Sequence, residues 1–116
     1  MKRLVILPTY NEAKNIVKTI DMLLALDISL DILIVDDSSP DGTGDLVRSH
    51  YQESVNVETR PTKDGLGSAY VFGFNWALKH NYDLILQMDA DLSHDPKEIK
   101  NFVYYLNDSP FIIYDN

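Results

Sequence analysis

Apolar and polar positions along this chain change period repeatedly. Arg3 to Leu7 is a short run of strand type that stops at Pro8. From Glu12 to Leu26, Ile16, Ile20, Leu23 and Leu24 fall on one face of a helix. Asp31 to Val35 is a continuous apolar strand, and Asp36-Asp37-Ser38-Ser39-Pro40-Asp41-Gly42-Thr43 after it is dense in turn-forming residues. A second helix is expected from about Thr43 to Glu53, and a weaker third strand from Val55 to Glu58. Gly65-Leu66-Gly67 opens a helix to about Lys79, with Ala69, Phe72, Trp76 and Ala77 inward. Tyr82 to Met88 reads as a fourth strand. Asp95-Pro96 caps a further helix carrying Ile99, Phe102, Val103 and Leu106, and Phe111 to Tyr114 reads as a fifth strand.

Strands alternating with helices predict an α/β fold, a Rossmann-like, mostly parallel sheet covered by helices on both faces. Ligands of such sheets bind beyond the carboxyl ends of the strands. Three unusual loops fall there: Pro8-Thr9-Tyr10-Asn11-Glu12, the acidic turn from Asp36 to Thr43, and Asp89-Ala90-Asp91-Leu92-Ser93-His94-Asp95.

With 116 residues, 45% of them hydrophobic, the chain suits one domain over residues 1–116, and it contains no repeat, linker or low-complexity segment. No apolar stretch approaches membrane-spanning length, and the run before Pro8 is too short for a signal peptide, so the default location is cytoplasmic. The absence of cysteine excludes disulfides and thiolate metal sites. A formal net charge of -8, with no cluster of Lys or Arg, would repel nucleic acid. A small anionic substrate meets the same repulsion unless a cation intervenes.

That constraint gives the third loop its meaning. Carboxylates packed as closely as Asp89, Asp91 and Asp95 repel one another, and each is costly to desolvate. Hard cations such as Mg²⁺ and Mn²⁺ take carboxylate oxygens and share their shell with substrate phosphates. Asp89 and Asp91, just past a strand end, are therefore candidate metal ligands that would bridge to a nucleotide diphosphate and make it a better leaving group. The other loops have simpler readings. Asp36 and Asp37 read as solvated turn residues, Asp41 or Thr43 as a helix cap, and Glu12 as a favourable charge at a helix N-terminus. Gly65-Leu66-Gly67 lacks the third glycine and the preceding strand of a dinucleotide fingerprint, and no Walker-type phosphate loop is present.

Taken together and in order, PTYNE, VDDSSPDGT, GLGSAY and MDADLSHDP resemble the family 2 glycosyltransferases, and within them the dolichol-phosphate (polyprenol-phosphate) mannosyltransferases. The resemblance runs from about Val5 to Leu106. It implies a GT-A nucleotide-diphospho-sugar transferase fold, and metal-dependent transfer of mannose from GDP-mannose to a polyprenyl phosphate at a membrane surface, with inversion. It also implies roles for particular residues. Pro8, Tyr10 and Glu12 would surround the donor nucleotide, Val35 and Asp37 would meet the base and ribose, and Lys63 would reach the nucleotide. Asp89, Ala90 and Asp91 would form the metal and diphosphate segment, with Ser93 standing where some relatives carry Gln. Relatives continue beyond the strand at Phe111 to Tyr114 into an acceptor-binding part, so the chain is expected to be the donor-binding portion, peripheral at the cytoplasmic face of a membrane.

Two other readings belong to different classes. One is a catalytically silent module that binds a sugar nucleotide. The other is a phosphorelay receiver, in which an acidic pair and a phospho-acceptor Asp share Mg²⁺. Receivers carry the acidic pair after their first strand, whereas a complete strand–helix unit precedes Asp36-Asp37 here.

Overall fold

β-Branched residues and leucine crowd the runs at residues 4–7 and 32–35, and each run is apolar at consecutive positions rather than alternate ones. Such runs suit strands buried on both faces. The computed structural model, which describes residues 2–93, 95, 98, 99 and 113–115, places them at the centre of a five-stranded sheet. The strands are β1 (Arg3–Thr9), β2 (Asp31–Asp36), β3 (Asn56–Thr59), β4 (Leu84–Gln87) and β5 (Ile113–Asp115). The helices are α1 (Ile16–Leu24), α2 (Thr43–Tyr51) and α3 (Leu66–Lys79).

Period-two alternation divides the apolar residues between two cores. Val5, Leu7, Ile32, Ile34, Leu84 and Leu86 face α1 and α2, meeting Ile16, Ile20, Leu23 and Val47. Leu4, Ile6, Leu33, Val35 and Ile85 face the other way, onto Ala69 and Ala77 of α3. Each isoleucine or leucine fully removed from water contributes roughly 1.5–3 kcal/mol.

All four strand pairings are parallel, in the order β3-β2-β1-β4-β5. This order removes the receiver reading, because flavodoxin-like receivers place the first strand beside the second and third. Here β1 lies between β2 and β4, and successive strands run outward from it in both directions. A crevice opens at such a switch point, beyond the carboxyl ends of the strands.

Pro8 shows how the crevice is made. The strand is expected to stop at Pro8, yet β1 continues to Thr9, with Pro8 opposite Val35 of β2. The carbonyl of Ile6 accepts the N–H of Met88, so the even positions of β1 point toward β4. The N–H that proline lacks would therefore point to the same side, just past the last paired residue of β4, Gln87 opposite Ile6. A proline is tolerated where no ladder partner is lost.

Other differences from expectation have local causes. The first helix begins at Ile16 rather than Glu12, after a turn in which the Glu12 carbonyl accepts the N–H groups of Asn15 and Ile16 at 3.0 and 2.9 Å. α2 ends at Tyr51, where Gln52 takes a positive φ of 52° and a short 3₁₀ turn follows. On α3, Phe72 points outward with 37% of its surface exposed, and Gly73 takes the inward position beside Ile6. Trp76 is half-buried and donates its indole N–H to Glu58 at 3.0 Å. Ile99 is buried in the α1–α2 core, whereas His94, Pro96 and residues 100–112 lie outside the described residues.

The contact between Gly73 and Ile6 is tight enough to test. A Cβ at position 73 would lie 2.7 Å from Ile6 Cγ2 and 2.9 Å from its Cδ1. Gly73→Ala should therefore destabilise by about 1–3 kcal/mol, less the ~1 kcal/mol that alanine gains in a helix interior. In an Ile6→Ala background the same change should become neutral or stabilising. Urea unfolding of the four variants checks both signs.

Candidate functional site

The rim loops are tied to one another before they are tied to anything else. After β1 the chain turns at Asn11, a residue type that tolerates its positive φ of 56°. The N–H of Asn11 donates to Ser39 Oγ at 2.9 Å, that of Glu12 to Thr43 Oγ1 at 3.0 Å, and that of Ala13 to Asp41 Oδ2 at 3.0 Å. Asp41 returns the link, its N–H donating to Asn11 Oδ1 at 3.2 Å. Against the opposing effect of burial, hydrogen bonds from the Thr43 hydroxyl and from the N–H groups of Ala13 and Thr43 keep the carboxyl of Asp41 below its ordinary value. Asp41 is thus a fastener between loops as well as a cap for α2.

Asp36 is not the solvated turn residue that its sequence context suggests. It is 3% exposed, and it accepts hydroxyl hydrogen bonds from Thr9 and Ser39, each at 2.6 Å, plus the N–H of Ser39 at 3.1 Å. Neutral donors satisfy this carboxylate, so it braces β1 against β2 rather than facing a ligand. Gly44 packs close beside it, where a Cβ would lie 3.0 Å from Asp36 Oδ2 and push the carboxylate by a few tenths of an ångström.

Asp37, one residue on, faces the other way and meets Arg60. Arg60 Nε donates to Asp37 Oδ1 at 2.6 Å and Nη2 donates to Oδ2 at 2.7 Å, a side-by-side pair between groups 9% and 6% exposed. The hydrogen bond to Asp37 is the largest influence on Arg60 and raises its pKa. Removing one partner of a buried pair leaves an uncompensated charge at a cost of about 3–5 kcal/mol. Sequence reasoning missed Arg60. The available signal was its place directly after the third strand, on the same rim as the three acidic loops.

Between the ends of β1 and β4 lies a cleft of about 300 Å³. One wall carries Pro8, Thr9, Tyr10 and Glu12, the second Asp37, the third Lys63, Gly65, Leu66 and Ala69, and the fourth Asp89, Ala90 and Asp91. The donor-site candidates named from the sequence are therefore gathered here except Ser93, which does not line the cleft, and Val35, whose side chain is fully buried against α3. Lys63 is exposed at the mouth, with Nζ 4.5 Å from the centre of the Tyr10 ring. Tyr70 of α3 donates its hydroxyl to Asp89 Oδ1 at 3.0 Å, and Asp91 Oδ1 accepts the N–H of Ser93 at 2.9 Å. The buried Ala90 between them is held by Thr19 Oγ1, which donates to its carbonyl at 3.3 Å.

Glu12 reports the field of the cleft. Burial raises its carboxyl pKa first, and the negative charges of Asp91, Asp41 and Asp89 raise it further. Among the described residues no group of three or more His, Asp or Glu side chains is arranged to hold a metal ion. Asp89 and Asp91 still fit Mg²⁺ or Mn²⁺. Such ions use one or two carboxylates and leave the rest of the shell to water and phosphate. The repulsion felt at Glu12 is the field that such a cation would relieve.

Residues 4–115 match the description "Glycosyl transferase family 2". The chain is 43% identical over 115 residues to an undecaprenyl-phosphate mannosyltransferase of Micrococcus luteus, covering 97% of this chain and 47% of that one. It is 41% identical over 105 residues to a polyprenol monophosphomannose synthase of Mycolicibacterium smegmatis, covering 88% and 40%. It is also similar to the solved structure of the mannosyltransferase PcManGT from Pyrobaculum calidifontis in complex with GDP-Man and Mn²⁺. That likeness has a TM-score of 0.71 at 30% identity and covers 92% of this chain and 32% of that one. The chain thus spans about half the length of the curated relatives it matches.

The raised pKa of Glu12 predicts a pH dependence. The folded state holds this proton more tightly than the unfolded chain, so the stabilisation is complete below the ordinary value of 4.5 and is lost as pH rises through the higher folded value. Glu12→Gln removes the ionisation, so the variant should be more stable than the parent at neutral pH, by a margin that shrinks on acidification. Urea unfolding across about pH 4–8 reads this margin. A variant no more stable at neutral pH contradicts the assignment.

Proposed function

This chain belongs to glycosyl transferase family 2, and from that premise we propose that its cleft binds GDP-mannose as donor for inverting mannosyl transfer to a polyprenyl phosphate. The observation that carries the reading is the placement of Asp89, Ala90 and Asp91 at the switch point, facing Glu12 and Asp37 across one cleft, in a chain of net charge -8. A site this acidic admits a nucleotide diphosphate only with a cation. Asp89 and Asp91 are the residues that would hold Mg²⁺ or Mn²⁺, which when bound would neutralise charge on the departing diphosphate.

The chain's own groups then divide the work of binding. The Tyr10 ring, 36% exposed at the rim, offers an apolar face to a base. Asp37 accepts from the nucleoside, and Lys63 is within the same cleft as a mobile positive charge for the phosphates. Pro8 and Ala69 supply the apolar floor. The acceptor phosphate is already anionic and needs no dedicated general base. What it needs is alignment behind the anomeric carbon, and positioning of that kind supplies much of the rate gain in displacements. An acceptor with a polyprenyl tail places this chemistry at a membrane surface, although among the described residues no helix is long and apolar enough to cross one. The names of the relatives support mannose as the sugar and polyprenyl phosphate as the acceptor.

Asp89→Asn and Asp91→Asn should each lose most Mn²⁺-dependent GDP binding in titration calorimetry while circular dichroism stays unchanged. Full metal-dependent affinity in both variants would remove the assignment. Radiolabelled mannose appearing on a short polyprenyl phosphate then separates transfer from binding alone.

A further inference from the structure

The Asp37–Arg60 pair does more than neutralise a buried charge. A carboxylate has one edge along which both oxygens can accept parallel hydrogen bonds from a two-pronged donor. Arg60 fills that edge, with Nε on Oδ1 and Nη2 on Oδ2. Each oxygen keeps only outward lone pairs for a ligand, and these diverge. The remaining contacts of the guanidinium go to the start of α3. Nη1 donates to Ser68 Oγ at 2.7 Å, Nη2 lies 3.4 Å from the carbonyl of Gly65, and Ser68 in turn donates to Asp64. Gly65 and Leu66 line the same cleft as Asp37. One side chain therefore joins two walls of the cleft.

We infer that Arg60 is the positioning residue of the nucleotide cleft, fixing Asp37 and the first turn of α3 as one unit and limiting Asp37 to single-point hydrogen bonds. The inference rests on the donor-site reading above and narrows it. Guanine presents adjacent ring and exocyclic N–H donors, a fork that requires the very edge Arg60 occupies. Asp37 accordingly takes one hydrogen bond from the nucleoside and does not grip guanine through its ring and exocyclic N–H groups together.

Two measurements test this separately. Hydrogen exchange on the nucleotide-free protein should show faster exchange at Ala69 to Phe72, whose N–H groups close the first turn of α3, in Arg60→Lys, which keeps the charge but loses the fork. β1 and β2 should keep their protection in that variant. Unchanged exchange at Ala69 to Phe72 overturns the tie whatever the cleft binds. Calorimetry with Mn²⁺ then compares GDP with inosine diphosphate, which lacks the exocyclic amino group. Wild type should bind the two within about threefold, and Arg60→Lys, with one prong released, should move the ratio toward GDP. A two-pronged contact would discriminate by roughly tenfold or more. Such a preference in wild type, abolished by Asp37→Asn, overturns the inference. If the exchange changes as expected and wild type binds neither nucleotide, the donor-site reading and the restriction on Asp37 both fall, leaving Arg60 as a structural tie.

Discussion

Negative charge gathered at the carboxyl end of a parallel sheet is the constraint around which this structure is arranged. Asp36, Asp37, Asp41, Glu12, Asp89 and Asp91 all follow strands whose ends meet on one rim. Like charges gathered on one rim repel one another unless something screens or pairs them. The chain handles each carboxylate differently. Asp36 is buried among the hydroxyl and amide donors of Thr9 and Ser39, and the exposed Asp41 accepts from Ala13 and Thr43. Asp37 is matched by a guanidinium. Glu12, Asp89 and Asp91 line the cleft, where burial first and then the charges of Asp91, Asp41 and Asp89 raise the pKa of Glu12.

This division separates support from recognition. The first two carboxylates, with Asn11 and Ser39, stitch the loop after β1 to the loop after β2 and so set the shape of one side of the cleft. The opposite side hangs on β4, which leaves β1 after Gln87 while β1 runs on through Pro8 to Thr9. The proline makes that divergence tolerable, because its missing donor faces the gap. In the proposed function, the gap is where a diphosphate and its cation would lie, beside Asp89 and Asp91.

Much of this was legible beforehand, for identifiable reasons. The strands at residues 4–7 and 32–35 announce themselves as unbroken apolar runs, because burial on both faces removes polar alternation. Asp89 and Asp91 stand out because an apolar strand ends in them abruptly. Arg60 was not legible. Its partner, Asp37, is 23 residues away, and only the parallel pairing of β2 with β3 brings them together. The burial of Asp36 escaped notice because a pair of aspartates before a turn has the same composition whether solvated or hydrogen-bonded. Phe72 misled for a packing reason. A Cβ at position 73 would crowd Ile6, so glycine takes the position facing β1 and the large neighbour Phe72 lies outward.

The central claim is spatial: one cleft, at the divergence of β1 and β4, takes a metal-bound nucleotide diphosphate. A crystal structure of the chain grown with GDP and Mn²⁺ tests it most directly. The account predicts the ion touching a carboxylate of Asp89 or Asp91, the diphosphate beside it, and the nucleoside reaching toward Tyr10 and Asp37. Nucleotide bound instead in the smaller cavity of about 210 Å³ beside Ser38, Arg48 and Thr59, or an ion held without either aspartate, would contradict it.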